Sequence, residues 1–443
     1  MDPIAIVAQL VEKHAFAHPL FVRNLLATAY KTVTLRGAFA NVHTYRGATD
    51  RFNGEIAKTI TRSFLRPHRA VMVNVFMPCE MLYAANVTAM FPEGISVYVA
   101  CTQSSLPFAQ AAEEAGVPES FCSYHKIMLG MDARGVLPKT AMIANTTLAC
   151  DANQLSFRLL SEKPDGTRVP RAVIEVPYSG TTSEDAVRDV AKQLKNMVKE
   201  MERALGVRVC EDALIATCKR SHKTLCNMRD YLKIRSSIDL PTTLSGELCT
   251  LIATHIMAGS KAALEFSKNL LSLAERKDLD IETQGTAALC KRDTTRIFWI
   301  HTLPNWQQAI MDLFETNKAS SDAAAEIVGN DMAYDFLYTL EDLNPQDPYD
   351  YMARRLVMSS SNGPATRRIA CALSAAKESG ANGAILFAHW GCRQTAGMAQ
   401  LAKEAFEREG IPLLVLDGDG CDPRNVPDGQ MVTRLEAFIE QLS

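Results

Sequence analysis

The chain is 443 residues long and 47% hydrophobic, enough for two to four domains at about 100–200 residues each. Its 47 Lys and Arg nearly balance 50 Asp and Glu, and no run of five like charges occurs, which excludes the electrostatic footprint of a nucleic-acid or anionic-membrane binder. Met1-Asp2-Pro3 puts an acid where a signal peptide needs bases, and the most apolar stretch, 71–91, is interrupted by Asn74, Pro78, Glu80 and Asn86, so a soluble, unexported, cytoplasmic protein is expected.

Residues 1–66 read as helices, with apolar stripes at Ile4, Val7, Leu10 and Val11 and at Leu20, Leu25 and Leu26, and with polar turns around Gly47 and Gly54. From Ala70 short β-rich runs at 71–76, 96–100, 140–145 and 172–176 alternate with helical stretches, the pattern of a parallel, helix-covered sheet. Between Ser183 and Lys291 the β signal disappears. Ser183-Glu184-Asp185 caps a long periodic run through Met201, and 232–240 and 244–274 continue in helical register around a break at Pro241. Strands then return at 296–301, 383–388 and 412–416, with helices at 305–317, 365–377, 395–409 and 430–442. The expected fold is α/β: two doubly wound parallel-sheet domains, 67–182 and 292–443, flanking a helical segment, 183–291, behind an N-terminal helical region, 1–66.

Twelve cysteines in a reducing compartment are not a disulfide framework, and with no Cys-x-x-Cys pair any metal site must be assembled from distant segments. Cys79, Cys101, Cys150, Cys392 and Cys421 each follow a predicted strand, and Cys122 lies in the loop 118–124, so six thiols map to the edge where ligands bind in parallel sheets. Packing stays open for each of them, because free cysteine is a small hydrophobe. Cys210, Cys218, Cys226, Cys249, Cys290 and Cys371 fall in or beside helical stretches and read as packing residues.

Other chemistry is not supported. Asp417 to Asp428 lacks the glycine and glutamate of a calcium loop, with Asp422 at position six and Asp428 at position twelve. Gly-x-Gly-x-x-Gly after the first strand, a Walker lysine and a Gly-x-Ser-x-Gly elbow are all missing. His14 and His18 have the spacing of a metal pair without an intervening glutamate and read as surface helix residues.

Five blocks then occur in order: Phe76-Met77-Pro78-Cys79-Glu80 through Ala85; Phe121-Cys122-Ser123-Tyr124-His125; Cys150-Asp151; Trp390-Gly391-Cys392-Arg393-Gln394-Thr395; and Asp417-Gly418-Asp419-Gly420 with Gly429-Gln430 and Thr433 through Phe438. From about residue 65 onward they resemble the 2-hydroxyacyl-CoA dehydratase and benzoyl-CoA reductase family. The resemblance implies an oxygen-sensitive [4Fe-4S] cluster held by Cys122, Cys150 and Cys392, one iron being left open. It implies anaerobic radical chemistry, in which one-electron reduction of an acyl-CoA thioester to a ketyl radical anion lets a 2-hydroxyl leave as water.

Glu80, in the family's Pro-x-Glu position, is the implied acid/base, with a dipole-favoured helix-terminal glutamate as the alternative. His125 and His389, next to implied ligands, are weaker candidates. The implied partners are an acyl-CoA substrate, a paralogous subunit or second copy of this chain, and an ATP-dependent Fe–S activator. Cys79 and Cys421 depart from the family pattern and, with Cys101, supply extra thiols. A double-cubane Fe–S cluster or a benzoyl-CoA-type reductase subunit therefore stays open as a second expectation, and a non-catalytic thiol-rich α/β binding subunit as a third.

Overall fold

Two four-stranded sheets, parallel at every pairing, organise the molecule. The computed structural model describes residues 3–162, 166–178, 183–238, 240, 242–284, 294–304, 306–314, 325–426 and 429–442. β1 (Ala70–Val73), β2 (Thr88–Met90), β3 (Met142–Thr146) and β4 (Arg171–Ile174) lie in the order β2-β1-β3-β4. β5 (Thr295–Ile300), β6 (Ala325–Asn330), β7 (Gly383–His389) and β8 (Leu413–Gly418) repeat that arrangement as β6-β5-β7-β8. In each sheet the strand order reverses beside the first strand, which opens a crevice at the C-terminal edge. β1, β3, β5 and β6 are buried along their whole length, as strands covered by helices on both faces must be.

The α/β class, the helical N-terminal region and the helical middle segment are as expected. Several local assignments are not. Residues 96–100 are helical, inside Pro92–Cys101: Pro92 is pre-organised for a first helical turn, and a run buried on all sides has no periodicity to separate helix from strand. β2 and β6 are strands that the sequence does not announce, the first because three residues carry no pattern, the second because Glu326 and Gly329 interrupt it. The expected helix 305–317 appears as Gln308–Leu313, with Asn305 and 315–317 outside the described residues. Pro241, Cys290, the boundary at 291 and Asp428 also lie outside them.

Gly47 and Gly54 do not make turns but sit within the helix Tyr45–Leu65. A Cβ on Gly37 of the helix Pro19–Ala38 would come within 2.8 Å of the Gly54 Cα, so the glycines permit a close helix crossing. In the middle segment Ser183 caps Glu184–Leu205 by accepting from the Ala186 N–H at 3.5 Å, and Glu211–Arg235, Leu244–Thr254 and Lys261–Gln284 follow. Two buried arginines tie this segment to the second sheet. Arg235 pairs with Glu247 at 2.7 Å and donates to the Ile327 carbonyl, while Arg296 pairs with Glu326 at 3.3 Å and donates to the Arg235 and Ser379 carbonyls.

Cys218, Cys249 and Cys371 are buried and Cys226 is half-buried. Cys210 is exposed at the start of Glu211–Arg235, which corrects its reading as a packing residue. Among the described residues no helix is long and apolar enough to cross a membrane.

Two glycine substitutions should act in opposite directions. A Cβ on Gly130 would stand 1.7 Å from the Phe108 carbonyl oxygen, so Gly130→Ala must push apart the helices Leu106–Glu114 and Ser123–Ala133 and should cost about 1–3 kcal/mol. Gly397, exposed within Arg393–Arg408, has open space around it, and Gly397→Ala should add roughly 0.4–1 kcal/mol. Urea midpoints measure both.

Candidate functional site

The C-terminal edges of the two sheets face one cavity of about 630 Å³. That is within the range of sites that enclose small molecules. Segments following β1 through β7 form its wall, and the helix Leu244–Thr254 contributes Leu248, Leu251 and Ile252.

Cys122, Cys150 and Cys392 all line this cavity. Each is the residue that starts a helix: Ser123–Ala133, Asp151–Ser161 and Arg393–Arg408 respectively. Three helix N-termini therefore direct partial positive charge at three sulfurs, the environment that favours a thiolate or another anion. The Asn153 N–H already donates to Cys150 Sγ at 3.4 Å. Left-handed residues turn two of the loops immediately before the thiols, Ala149 at φ 66° and Gly391 at φ 80°. At Gly391 a side chain would also collide with the Cys122 backbone, 2.7 Å from its nitrogen.

Burial pushes the Cys122 thiol well above its ordinary range, and the neighbouring Cys150, Cys392 and Asp419 reinforce the shift. Cys150 is pushed up to about 12, first by burial. Without a cation these two sulfurs keep their protons. Among the described residues no three His, Cys, Asp or Glu side chains converge closely enough to hold a single ion.

The histidines are arranged around the sulfurs. The Gly420 N–H donates to His389 Nδ1 at 3.1 Å, so the ring carries its proton on Nε2, which lies 3.3 Å from Cys122 Sγ. His125 Nε2 lies 3.7 Å from Cys150 Sγ, and burial lowers its pKa to about 3, so the ring is neutral. Asp419 organises the loop behind His389 by accepting from Ser123 Oγ, from the Cys421 and Asp422 N–H groups at 2.9 Å, and from Asn425 at 2.8 Å. Those intrachain donors occupy the oxygens that a calcium loop would have offered to an ion.

Three cavity residues are not evident from the sequence. Glu93 is buried, its carboxyl accepts backbone N–H bonds from Val75 and from itself, and its Oε2 has no hydrogen-bond partner. Burial raises its pKa to about 8, so it is mostly a neutral acid at pH 7. His301 directly follows β5 at φ 82°, held there by Asp331 Oδ1, which accepts from its N–H at 2.6 Å. Arg368 pairs with Asp331 at 2.8 Å and donates to His301 Nδ1 at 3.3 Å, leaving Nε2–H as that ring's donor. The one signal for Glu93 is β2 itself, which puts it at a strand end in the first turn of the next helix. His301 stands at the end of the expected strand 296–301, a signal of the same kind, whereas Arg368 carries none, because Asp331 joins it to His301 only in three dimensions.

Glu80 is elsewhere. It is fully buried, does not line the cavity, and accepts from Arg355 Nη1 at 2.5 Å and Ser221 Oγ at 2.7 Å. Arg355 also donates to the Thr254 carbonyl at 2.7 Å, so the pair joins the loop after β1 to the middle helices and to the helix Pro348–Val357. Cys79, Cys101 and Cys421 do not line the cavity either. Cys101 ends the helix Pro92–Cys101 and does not follow a strand, which corrects its placement at the sheet edge. Cys79 Sγ donates to the Met77 carbonyl at 3.3 Å, and Cys421 is buried behind Cys122 near Tyr124 and Asp419.

Residues 74–442 match the profile of the family described as 2-hydroxyglutaryl-CoA dehydratase, D-component. The chain belongs to this family. Its similar proteins include the (R)-phenyllactyl-CoA dehydratase alpha subunit of Clostridium sporogenes, 21% identical over 82% of this chain and 87% of that protein. A benzoyl-CoA reductase subunit of Thauera aromatica is 23% identical over 84% of this chain and 88% of its own length. The (R)-2-hydroxyglutaryl-CoA dehydratase alpha subunit of Acidaminococcus fermentans is 22% identical over 62% of this chain, and the alignment spans 55% of that relative. The D-component family thus includes subunits of both dehydratases and a reductase, and all the cavity residues named above lie within the matched region.

Removing one partner of a buried ion pair strands the other. Arg355→Met should therefore lower the unfolding free energy by about 3–5 kcal/mol. The double variant Glu80→Gln/Arg355→Met should be less destabilised than Arg355→Met alone, a comparison that urea unfolding of the three proteins makes directly.

Proposed function

We propose that this chain is the iron–sulfur subunit of a radical 2-hydroxyacyl-CoA dehydratase-like enzyme, with Cys122, Cys150 and Cys392 as ligands of a [4Fe-4S] cluster. What carries the reading is the convergence of three thiols, each at a helix N-terminus, on one cavity shared by both sheets. The donor set fits such a group. Thiolates are its normal ligands, and iron would take the place of the protons that burial holds on Cys122 and Cys150. When bound, a cluster of this kind supplies a single electron at low potential.

The remaining work falls to this chain's own side chains. The apolar wall excludes water and lowers the local dielectric around the thioester. His389 Nε2–H supports the charge on the Cys122 sulfur, and His301 Nε2–H is a donor for the thioester carbonyl. Glu93, neutral at pH 7, gives its proton to the departing 2-hydroxyl and then, as a carboxylate, takes the β-proton, so that no net proton is consumed. Glu80 acts through Arg355 to position the loop after β1. The thiols a double-cubane cluster would need do not line the cavity, so the single-cubane reading is favoured. The relatives are named as subunits, which supports a paralogous partner or a second copy of this chain. On this reading a separate ATP-dependent Fe–S activator delivers the electron.

Protein purified anaerobically from iron-replete cells should contain about four irons and four sulfides per chain. Cys122→Ala, Cys150→Ala and Cys392→Ala should each lose the visible absorbance, and Cys218→Ala should keep it. Wild-type protein without iron would refute the assignment. Glu93→Gln should retain iron and thioester binding while turnover falls by a factor of about 10²–10⁴, and an unchanged rate would remove Glu93 from the chemistry.

A further inference from the structure

The backbone of His301 is left-handed, a conformation that a residue other than glycine keeps only where its surroundings impose it. Here they do so at both of its peptide groups. Its N–H donates to Asp331 Oδ1 at 2.6 Å, and its carbonyl accepts from Asn330 Nδ2 at 2.7 Å. Asn330 is fixed in turn, because its Oδ1 accepts from the Met332 and Ala333 N–H groups at 3.0 and 3.3 Å. The Asp331 N–H donates to the Trp299 carbonyl at 3.1 Å, so the clamp is anchored on the paired strands β5 and β6.

A further constraint acts on the ring. Buried Arg368, on the helix Ala365–Glu378, spans two acceptors with one guanidinium: Nε donates to Asp331 Oδ2 at 2.8 Å and Nη2 to His301 Nδ1 at 3.3 Å. A guanidinium has no lone pair to offer, so Nδ1 can only accept there, and the single proton of the ring stays on Nε2. The other ionisable groups beside this array are His389, its ring centroid 6.3 Å from that of His301, and Cys392 and Asp335 near Arg368. A second proton on His301 would face the guanidinium, and burial, Arg368 and His389 all oppose it.

We propose that Arg368 is a positioning residue, which holds His301 as a fixed, uncharged hydrogen-bond donor to the substrate carbonyl and keeps the ring from exchanging protons with the substrate. This rests on the CoA-ester reading above and assigns separate tasks within it. A neutral imidazole stabilises negative charge developing on an oxygen without giving up its proton, so the proton transfers fall to Glu93.

The test uses butanoyl-CoA labelled with carbon-13 at the thioester carbonyl, which lacks a 2-hydroxyl and cannot eliminate water, bound to the anaerobic holoenzyme and observed by isotope-edited infrared spectroscopy. A hydrogen bond lowers the carbonyl stretching frequency. In the wild type the band should lie below that of the free thioester and hold its position from about pH 5.5 to about pH 8, where an ordinary histidine titrates. His301→Gly, which suits the left-handed backbone, should lose the displacement. Arg368→Met, checked for folding by circular dichroism, keeps the ring and removes the donor at Nδ1, so the proton can occupy either nitrogen. Its displacement should shrink at about pH 8 and vary with pH through the ordinary histidine range. A folded Arg368→Met protein with the wild-type displacement at every pH overturns the inference and leaves the CoA-ester reading intact. So does a wild-type band that moves with an apparent pKa of about 6.5, a result that needs no variant. A thioester that binds with an undisplaced carbonyl removes His301 as its donor and the inference with it, and absence of binding sinks the CoA-ester reading as well.

Discussion

Gly391 approaches Cys122 so closely that a Cβ would stand 2.7 Å from the Cys122 nitrogen and 2.9 Å from its Cα. This backbone contact sets how near the loop after β7 comes to the loop that opens the helix Ser123–Ala133, and so how near Cys392 comes to Cys122. Polar bonds reinforce it from one side. Buried Lys126 pairs with Asp422 at 3.0 Å, Arg424 reaches Glu113 at 2.6 Å, and Trp306 Nε1 donates to the Asp419 carbonyl at 2.9 Å. On the other side the Glu80–Arg355 pair ties the loop after β1 to the helices beneath the second sheet. The cavity is bounded by these contacts, and its thiols can converge although they are 28 and 242 positions apart along the chain.

The electrostatic design follows from that enclosure. A buried site cannot hold three thiolates unaided, and burial indeed holds Cys122 and Cys150 protonated. Three helix N-termini and the Nε2–H of His389 partly offset negative charge at the sulfurs, and a bound cation would supply the remainder. His125 and His301 are kept neutral by burial, with His389 adding to the effect at both rings and Arg368 at His301. Glu93 is kept neutral by the same desolvation. The buried part of the site is thus short of free charge.

Much of this is legible along the chain. Cys150 and Cys392 can be placed at a sheet edge because strands β3 and β7 are largely apolar and end in polar loops, whereas Cys122, in a loop that follows no strand, is marked by the ordered blocks that resemble one family. Glu80 is legible as part of a block but not as the partner of Arg355, since 275 residues separate them and no local pattern links them. Glu93 is hidden by two ambiguities of one kind. A three-residue strand is too short to show alternation, and a fully buried helix resembles a strand when periodicity is the only guide. Gly54 misleads because a glycine that allows two helices to touch looks, in sequence, like one that makes a turn, and Gly47 because it lets the first turn of its helix lie against the Asn41 carbonyl of the preceding loop.

The most direct test of the central claim is crystallography of the anaerobically purified protein with anomalous data collected at the iron edge. The account predicts one compact iron peak in the cavity, bonded to the Sγ atoms of Cys122, Cys150 and Cys392. An iron peak on other ligands, or full thiol density at these three cysteines with no iron in crystals grown from iron-replete, catalytically active protein, would contradict it.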